Sequence, residues 1–310
     1  MNSNKLSPII VFAFNRVDTL QNTIESLKKN KEAKDSELFV FVDGPRLNKD
    51  GEKEQVLAVQ EYVKTITGFK NLNYKFSETN KGLAPSVISG TTEIINLYDK
   101  VIVIEDDLIL SQSFLQYMNQ MLDLYEKDDR IMQISGWGCK LTKIKDYPYD
   151  VYLNKRARSW SWGTWKNRWE TVDWEVKDWT EFSTNRKRIY QFNKQGSDLF
   201  KMLKGYMTKK NCSWYIRFQY AMHKQKRYSV QPIRSLVIND GFGGNATNCK
   251  NYNRYKVDFE PKHEGQFNTI PLLQHNTRIQ TNAIRFNSIR YRLYGVFMTQ
   301  LMKISNYINK

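Results

Sequence analysis

The sequence predicts an open α/β sheet. Strand and helix signals alternate through its first half, as they do where strands are joined by crossover helices. The strongest apolar run, VIVI at residues 101–104, passes directly into Glu105, Asp106 and Asp107, and open α/β sheets hold ligands outside the C-terminal ends of their strands. With 310 residues, 40% apolar and 26% charged, the chain can bury a full core and is neither collagenous nor low-complexity.

Residues 8–14, PIIVFAF, are a short apolar run with β-branched residues and read as a buried strand. Asp18 is placed to cap a helix carrying Leu20, Ile24 and Leu27. A second buried strand, LFVFV at 38–42, stops at the turn Asp43-Gly44-Pro45. Val56, Val59, Val63 and Ile66 share a face of the next helix, residues 72–76 form a weaker strand, and after the turn Asn80-Lys81-Gly82 residues 84–97 are helical. Beyond the acidic triplet, Ser111 or Ser113 caps a helix with Phe114, Leu115, Met118, Met121 and Leu122. Residues 131–134 give a further strand before Gly136-Trp137-Gly138.

The second half has another character. Six of the eight tryptophans, Trp160, Trp162, Trp165, Trp169, Trp174 and Trp179, fall within 20 residues. Helices are expected near 189–192, 198–207 and 214–224, then a strand over 230–238 leading into Asp240-Gly241-Phe242-Gly243-Gly244. No repeat or flexible linker divides the chain, so one continuous domain with a short tail is expected.

The net charge of +16 raises nucleic acid, an anionic membrane surface and small phosphorylated ligands as partner classes. No acid occurs between Gly265 and Lys310, whereas Arg278, Arg285, Arg290, Arg292, Lys303 and Lys310 do. Ile284, Phe286, Ile289, Leu293, Val296, Phe297, Leu301 and Ile304 recur among them, mostly on one helical face. Such a tail suits a membrane surface or docks its apolar face on the domain; both readings stand. The basic stretch 155–188 also carries Glu170, Asp173, Glu175, Asp178 and Glu181 and matches no nucleic-acid module, so nucleic acid is not an expected partner. Cys139, Cys212 and Cys249 form no CxxC pair and the three histidines are scattered, which argues against structural zinc and a disulfide framework. The expected location is a reducing cytosol, peripheral to the inner face of the membrane if the tail binds there. No long apolar stretch indicates a spanning helix, and MNSNKLSPII does not read as a signal peptide.

Three consecutive carboxylates after a buried strand repel one another, so a positive partner is expected among them. Hard divalent cations take carboxylate oxygens and bridge to phosphate, which makes Mg²⁺ or Mn²⁺ with a nucleoside diphosphate the chemistry that fits; the alternative is a solvated turn. Asp43 ends the second strand in the same layer, either to accept hydrogen bonds from a base or ribose or to close its Asp-Gly-Pro turn. Phe14, Asn15 and Arg16 end the first strand, with Arg16 either meeting phosphate or flanking the helix at the surface. Lys81 and Gly82 follow similarly.

These pieces resemble the nucleotide-sugar-dependent glycosyltransferases of the GT-A fold, a Rossmann-like, mixed and mostly parallel sheet flanked by helices. The likeness is to inverting enzymes similar to N-acetylglucosaminyltransferase I, whose metal motif is also Glu-Asp-Asp. It extends to bacterial transferases of capsule and surface polysaccharide, which share Ser-Trp-Ser-Trp-Gly-Thr-Trp, here residues 159–165, and the Asn-x-Gly-Phe-x-Gly turn, here 239–244. The resemblance implies a nucleotide-sugar-binding half at 1–135 and an acceptor half at 136–275, with 276–310 as the basic amphipathic tail. It implies that Phe14, Asn15, Arg16 and Asp43 line a uridine pocket, that Glu105 contacts the donor sugar and Asp106 the ribose, and that Asp107 binds the metal, with Lys81 a further donor-binding candidate. Trp162, within 160–165, would border donor and acceptor, a UDP-sugar and a cell-surface or lipid-linked glycan. Inversion also needs a carboxylate base. The place that carries it in the N-glycan enzyme reads Trp214-Tyr215-Ile216-Arg217 here, without an acid. Asp198, opening a helix after a glycine turn, is the leading substitute, and Asp240 is in reserve. A pseudo-glycosyltransferase that only binds donor remains an alternative. A nucleotidyltransferase is disfavoured because FAFNRVDTL lacks a glycine-rich phosphate loop.

Overall fold

A computed structural model describes residues 5–142, 144, 146–241 and 257–308. The first half runs β1 (Ile9–Ala13), α1 (Val17–Lys28), β2 (Glu37–Val42), α2 (Glu52–Lys64), β3 (Asn71–Phe76), α3 (Leu83–Tyr98), β4 (Lys100–Glu105), β5 (Leu108–Leu110), α4 (Phe114–Leu124) and β6 (Ile131–Ser135). The second half continues with β7 (Val151–Asn154), β8 (Trp162–Trp165), α5 (Lys166–Trp169), α6 (Trp179–Thr184), α7 (Arg186–Asn193), α8 (Leu199–Met207) and α9 (Trp214–Lys224). It ends with β9 (Tyr228–Pro232), β10 (Val237–Asn239), α10 (Thr277–Arg285) and α11 (Ile289–Ile308).

One sheet has the order β3-β2-β1-β4-β8-β6-β9-β7. The predicted open α/β sheet is present: β3, β2, β1 and β4 are mutually parallel, and β8 enters antiparallel between β4 and β6. Every residue of β1 is buried, as expected of a central strand covered on both faces. Alternation then divides it, with Ile9, Val11 and Ala13 joining Leu20, Ile24 and Leu27 of α1, while Ile10 and Phe12 join Val87, Ile94 and Ile95 of α3. Burying each such aliphatic side chain contributes about 1.5–3 kcal/mol.

Two expectations are corrected. Asp18 does not cap α1; the helix starts at Val17 with Arg16 as its cap, and Asp18 lies in the first turn, where a carboxylate suits the positive end of the helix dipole. The run 230–238 is two strands in two sheets. Pro232 lacks an N–H and ends β9, and the chain crosses to β10, which pairs antiparallel with β5. Strands β5, β7 and β8 were not anticipated. Of the tail, Ile279 and Ala283 of α10 and its C-cap residue Phe286 pack against Trp137, Cys139, Leu141 and Tyr152, and Gln280 accepts from the backbone N–H of Lys155. On α11, Ile289, Leu293, Val296, Phe297 and Leu301 stay exposed.

Candidate active site

The C-terminal ends of β1, β2 and β4 meet at one edge of the sheet, where they frame a cavity of about 390 Å³. That volume falls within the usual range of small-molecule sites. The rings of Phe12 and Phe41 line it 5.5 Å apart. Gly90 on α3 makes room for the first, since a Cβ there would stand 2.8 Å from its Cε1. Phe14, Asn15, Arg16, Asp43, Lys81, Glu105, Asp106 and Asp107 all line this one cavity.

Arg16 is the positive partner that the acid triplet required. Its Nη2 donates to Asp106 Oδ1 at 2.5 Å and to Asp107 Oδ2 at 3.1 Å. One guanidinium cannot neutralise three acids. Burial, then the charges of Asp107 and Asp106, hold the Glu105 carboxyl well above the usual range against the pull of Arg16. Burial likewise pushes Asp106 up to about 6 although Arg16 opposes it. Asp107 is clamped from the other half of the molecule. Asn239 Nδ2 donates to its Oδ1 at 3.2 Å, and the Asp240 N–H donates to its backbone carbonyl at 2.8 Å. Gly241 completes the contact, because a Cβ there would lie 2.3 Å from Asp107 Oδ2.

Among the described residues no group of three or more His, Cys, Asp or Glu side chains forms a metal cage. The donor set nonetheless fits a hard cation. A carboxylate at the cavity wall, beside acids whose charge Arg16 leaves uncompensated, suits an ion whose remaining ligands are phosphate oxygens and water.

Asp43 lies at the cavity with its acceptor capacity already used. Oδ1 accepts from the N–H groups of Gly44 and Lys81, both at 2.9 Å. Oδ2 accepts from Gly82 N at 2.8 Å and from Asn80 Nδ2 at 3.1 Å. Four donors fill the roughly four lone-pair directions of a carboxylate, so Asp43 shapes the wall by fastening the 80–82 turn to β2.

Two predicted site residues stand elsewhere. Trp162 does not border the cavity: it is only 1% exposed, with its ring 5.5 Å from Trp169 and 4.9 Å from Trp214. Its place in β8 opposite Val103 turns it toward α9. Asp198 forms a bidentate pair with Arg156, both contacts 2.8 Å. Burial works against its ionisation, but the hydrogen bonds and charge of Arg156 hold its pKa below the usual range. It is not among the cavity-lining residues. Asp240 is exposed beside Asp107, and Phe242, Gly243 and Gly244 of its turn lie outside the described residues. Sequence reasoning missed Arg46, Ser77, Asn80 and Ser86 in the lining. Arg46 lies 5.5 Å over the Phe14 ring and pairs with the buried Glu52; only its closeness to the Asp-Gly-Pro turn could have pointed to it.

The family model for Glycosyl transferase family 2 matches residues 9–210. An alpha-1,3-mannosyl-glycoprotein 2-beta-N-acetylglucosaminyltransferase of Arabidopsis thaliana is 22% identical over 234 residues, covering 65% of this chain and 50% of that one. The chain thus spans about half the length of that relative. Among solved structures, S. aureus TarS 1–349 is similar at a TM-score of 0.41 and 11% identity, over 76% of this chain and 60% of that chain. A second S. aureus TarS structure is similar at 0.30 and 16%, over 49% and 22%.

Proposed function

Because the chain belongs to glycosyl transferase family 2, we propose that its cavity holds the nucleotide of a uridine-linked sugar donor, whose sugar is transferred with inversion to a hydroxyl of a cell-surface glycan. The observation that carries this reading is the meeting of Arg16, Asp106 and Asp107 at the cavity, with Asn239 bonded to Asp107 from behind. A diphosphate needs positive charge and hydrogen-bond donors, and the Arg16 guanidinium with the Lys81 ammonium supplies them. The nucleoside lies over Phe12 and Phe41. Asp107 holds the divalent ion, Mn²⁺ or Mg²⁺, which when bound stabilises the charge left on the departing diphosphate. The similarity to an N-acetylglucosaminyltransferase makes an N-acetylhexosamine the first donor sugar to test.

Asp240 is the proposed base. It is exposed, next to the residue proposed to hold the metal, and no ion pair involves it among the described residues, whereas Asp198 would first have to leave Arg156. A carboxylate there can take the acceptor proton as the hydroxyl oxygen attacks the anomeric carbon from the side opposite the diphosphate. The acid-free tail supports a further part of the reading, in which the exposed apolar stripe of α11 rests on an anionic membrane where lipid-linked acceptors reside. No helix among the described residues is long and apolar enough to cross a membrane.

The test is a thermal-shift screen of nucleotide sugars with and without Mn²⁺, followed by UDP release with a glycan acceptor. A UDP-sugar should raise the melting temperature only with metal, and Asp107→Ala should lose that shift while remaining folded. Asp240→Asn should retain donor binding and lose transfer. No metal-dependent shift with any UDP-sugar sinks the donor assignment; full transfer by the Asp240 variant sinks the base. Salt-independent absence of binding to anionic liposomes defeats the membrane part.

A further inference from the structure

A second unusual charge lies away from the cavity. Arg158, on the loop before β8, is only 7% exposed. Arginine keeps its proton in proteins, so a buried guanidinium calls for an anion. Every Asp and Glu of the chain lies within the described residues, and none reaches Arg158 as an ion pair. Its neighbour Arg156, by contrast, has Asp198. Arg158 Nε has a long 3.4 Å contact with Gln231 Oε1, and its Nη2 has no hydrogen-bond partner. The guanidinium lies 4.3 Å over the ring of Trp137, just beyond the C-terminal end of β6.

A second orphan belongs to the same loop. Ser161 is completely buried, sits at φ +47° and leaves its Oγ unpartnered. That Oγ would be 2.7 Å from a Cβ on Gly136, and the Ser161 carbonyl accepts from Gly136 N at 3.1 Å. Both orphans therefore adjoin the Gly136-Trp137 turn, and Ser159 and Trp160 between them are half-buried, which brings this loop to the surface. Through β8, the turn is two strands from the acid triplet: Ser135 pairs with Trp162, which pairs with Val103.

We propose that Arg158 and Ser161 form an anion subsite that takes a phosphate or phosphodiester group of the acceptor. Guanidinium N–H groups and a hydroxyl match the several acceptor oxygens of phosphate, and Trp137 supplies a flat face under the guanidinium. Naming the acceptor as the source rests on the transferase reading; the anion subsite itself does not.

The experiment fills the first cavity with UDP and Mn²⁺ and then adds inorganic phosphate, using amide hydrogen exchange on the wild-type chain as a local readout. UDP protection around residues 12–16 and 80–82 is read first and tests the donor reading separately. Phosphate should then slow exchange at 136–138 and 155–162, and sodium chloride at equal ionic strength should not. Arg158→Gln should lose this protection while keeping that from UDP; Arg158→Lys should keep a weakened form. No phosphate-specific protection in those segments, equal protection by chloride, or full protection in a folded Arg158→Gln chain would overturn the subsite. If Arg158→Gln does not fold, the wild-type footprint and Arg158→Lys decide. Protection of those segments by glucuronate but not phosphate would also overturn it, since a carboxylate would then be the ligand.

Discussion

Replacing Asp43 by Asn tests whether one carboxylate holds the cavity wall. The substitution leaves shape almost unchanged and converts one acceptor oxygen into a donor. If the new amide nitrogen faces Gly44 N and Lys81 N, two backbone donors lose their partner. If it faces Gly82 N and Asn80, the Asn80 amide can turn over, but it then gives up its 2.9 Å bond to the Gly44 carbonyl, and Gly82 N still confronts a donor. Either arrangement removes about two hydrogen bonds to a charged acceptor, each worth about 1.5–3 kcal/mol, and strands at least one donor. A loss of about 3 kcal/mol is expected, within what a domain of ordinary stability survives. Urea unfolding followed by tryptophan fluorescence measures it, and UDP titration calorimetry should show affinity at least about tenfold weaker as the 80–82 turn loosens. Unfolding free energy within about 0.5 kcal/mol of wild type, with unchanged UDP affinity, would refute the role given to Asp43.

Other substitutions separate structure from chemistry. Gly241→Ala places a methyl 2.3 Å from Asp107 Oδ2 and should weaken Mn²⁺-dependent UDP binding in calorimetry; unchanged affinity would show that the close approach is dispensable. Asp198→Asn leaves Arg156 buried with half its partner gone and should cost about 3 kcal/mol of stability while the rate per folded molecule holds. A stable variant with lost transfer would return the base role to Asp198. His223 links stability to acidity. Burial, then Arg188 and Lys155, lower its pKa from 6.5 to about 4, while its ring meets Gln195 and Phe192. The unfolded chain thus takes up the proton first. Stability is fully present above pH 6.5 and falls toward pH 4, by at most about 3 kcal/mol and less for its half-exposed ring. His223→Gln should flatten the melting temperature between pH 7 and 4.5, and an unaltered slope would exclude this histidine as a source.

How far the sequence could be read depended on the range of the forces involved. Strands β1, β2 and β4 announced themselves because each carries an unbroken apolar run of four or more residues, and the acids at Glu105 to Asp107 stood out against the last of these. Asp43, Arg16 and Lys81 were legible as strand-end or turn residues, but three of the four bonds to Asp43 come from Asn80 and the 81–82 backbone, which only the β2–β3 pairing brings near. Strand β8 was hidden because its WGTW lacks period-two polarity. Its tryptophans, three residues apart, point into opposite layers, Trp165 toward α4 and Trp162 toward α9. Trp162 was therefore misplaced: its chemistry suits a sugar, but strand parity decides where it points. The pairing of Asp198 was hidden similarly, since Arg156 lies 42 residues away and nothing local joins them.

The position of β8 has a consequence for dissecting the molecule. The N-terminal segment through residue 135 contains the whole predicted donor side, yet its strand β4 is completed by β8, from beyond that point. A fragment ending at 135 would leave β4, apolar over residues 101–104, without its β8 partner, and such an edge invites association with other chains. It would also lack Asn239 and Asp240, which fix Asp107. The proposed donor site is thus encoded early in the chain but is completed only after some 100 further residues have been made. During synthesis the cavity proposed for the nucleotide must wait, with β4 uncovered, for the strand that closes the sheet.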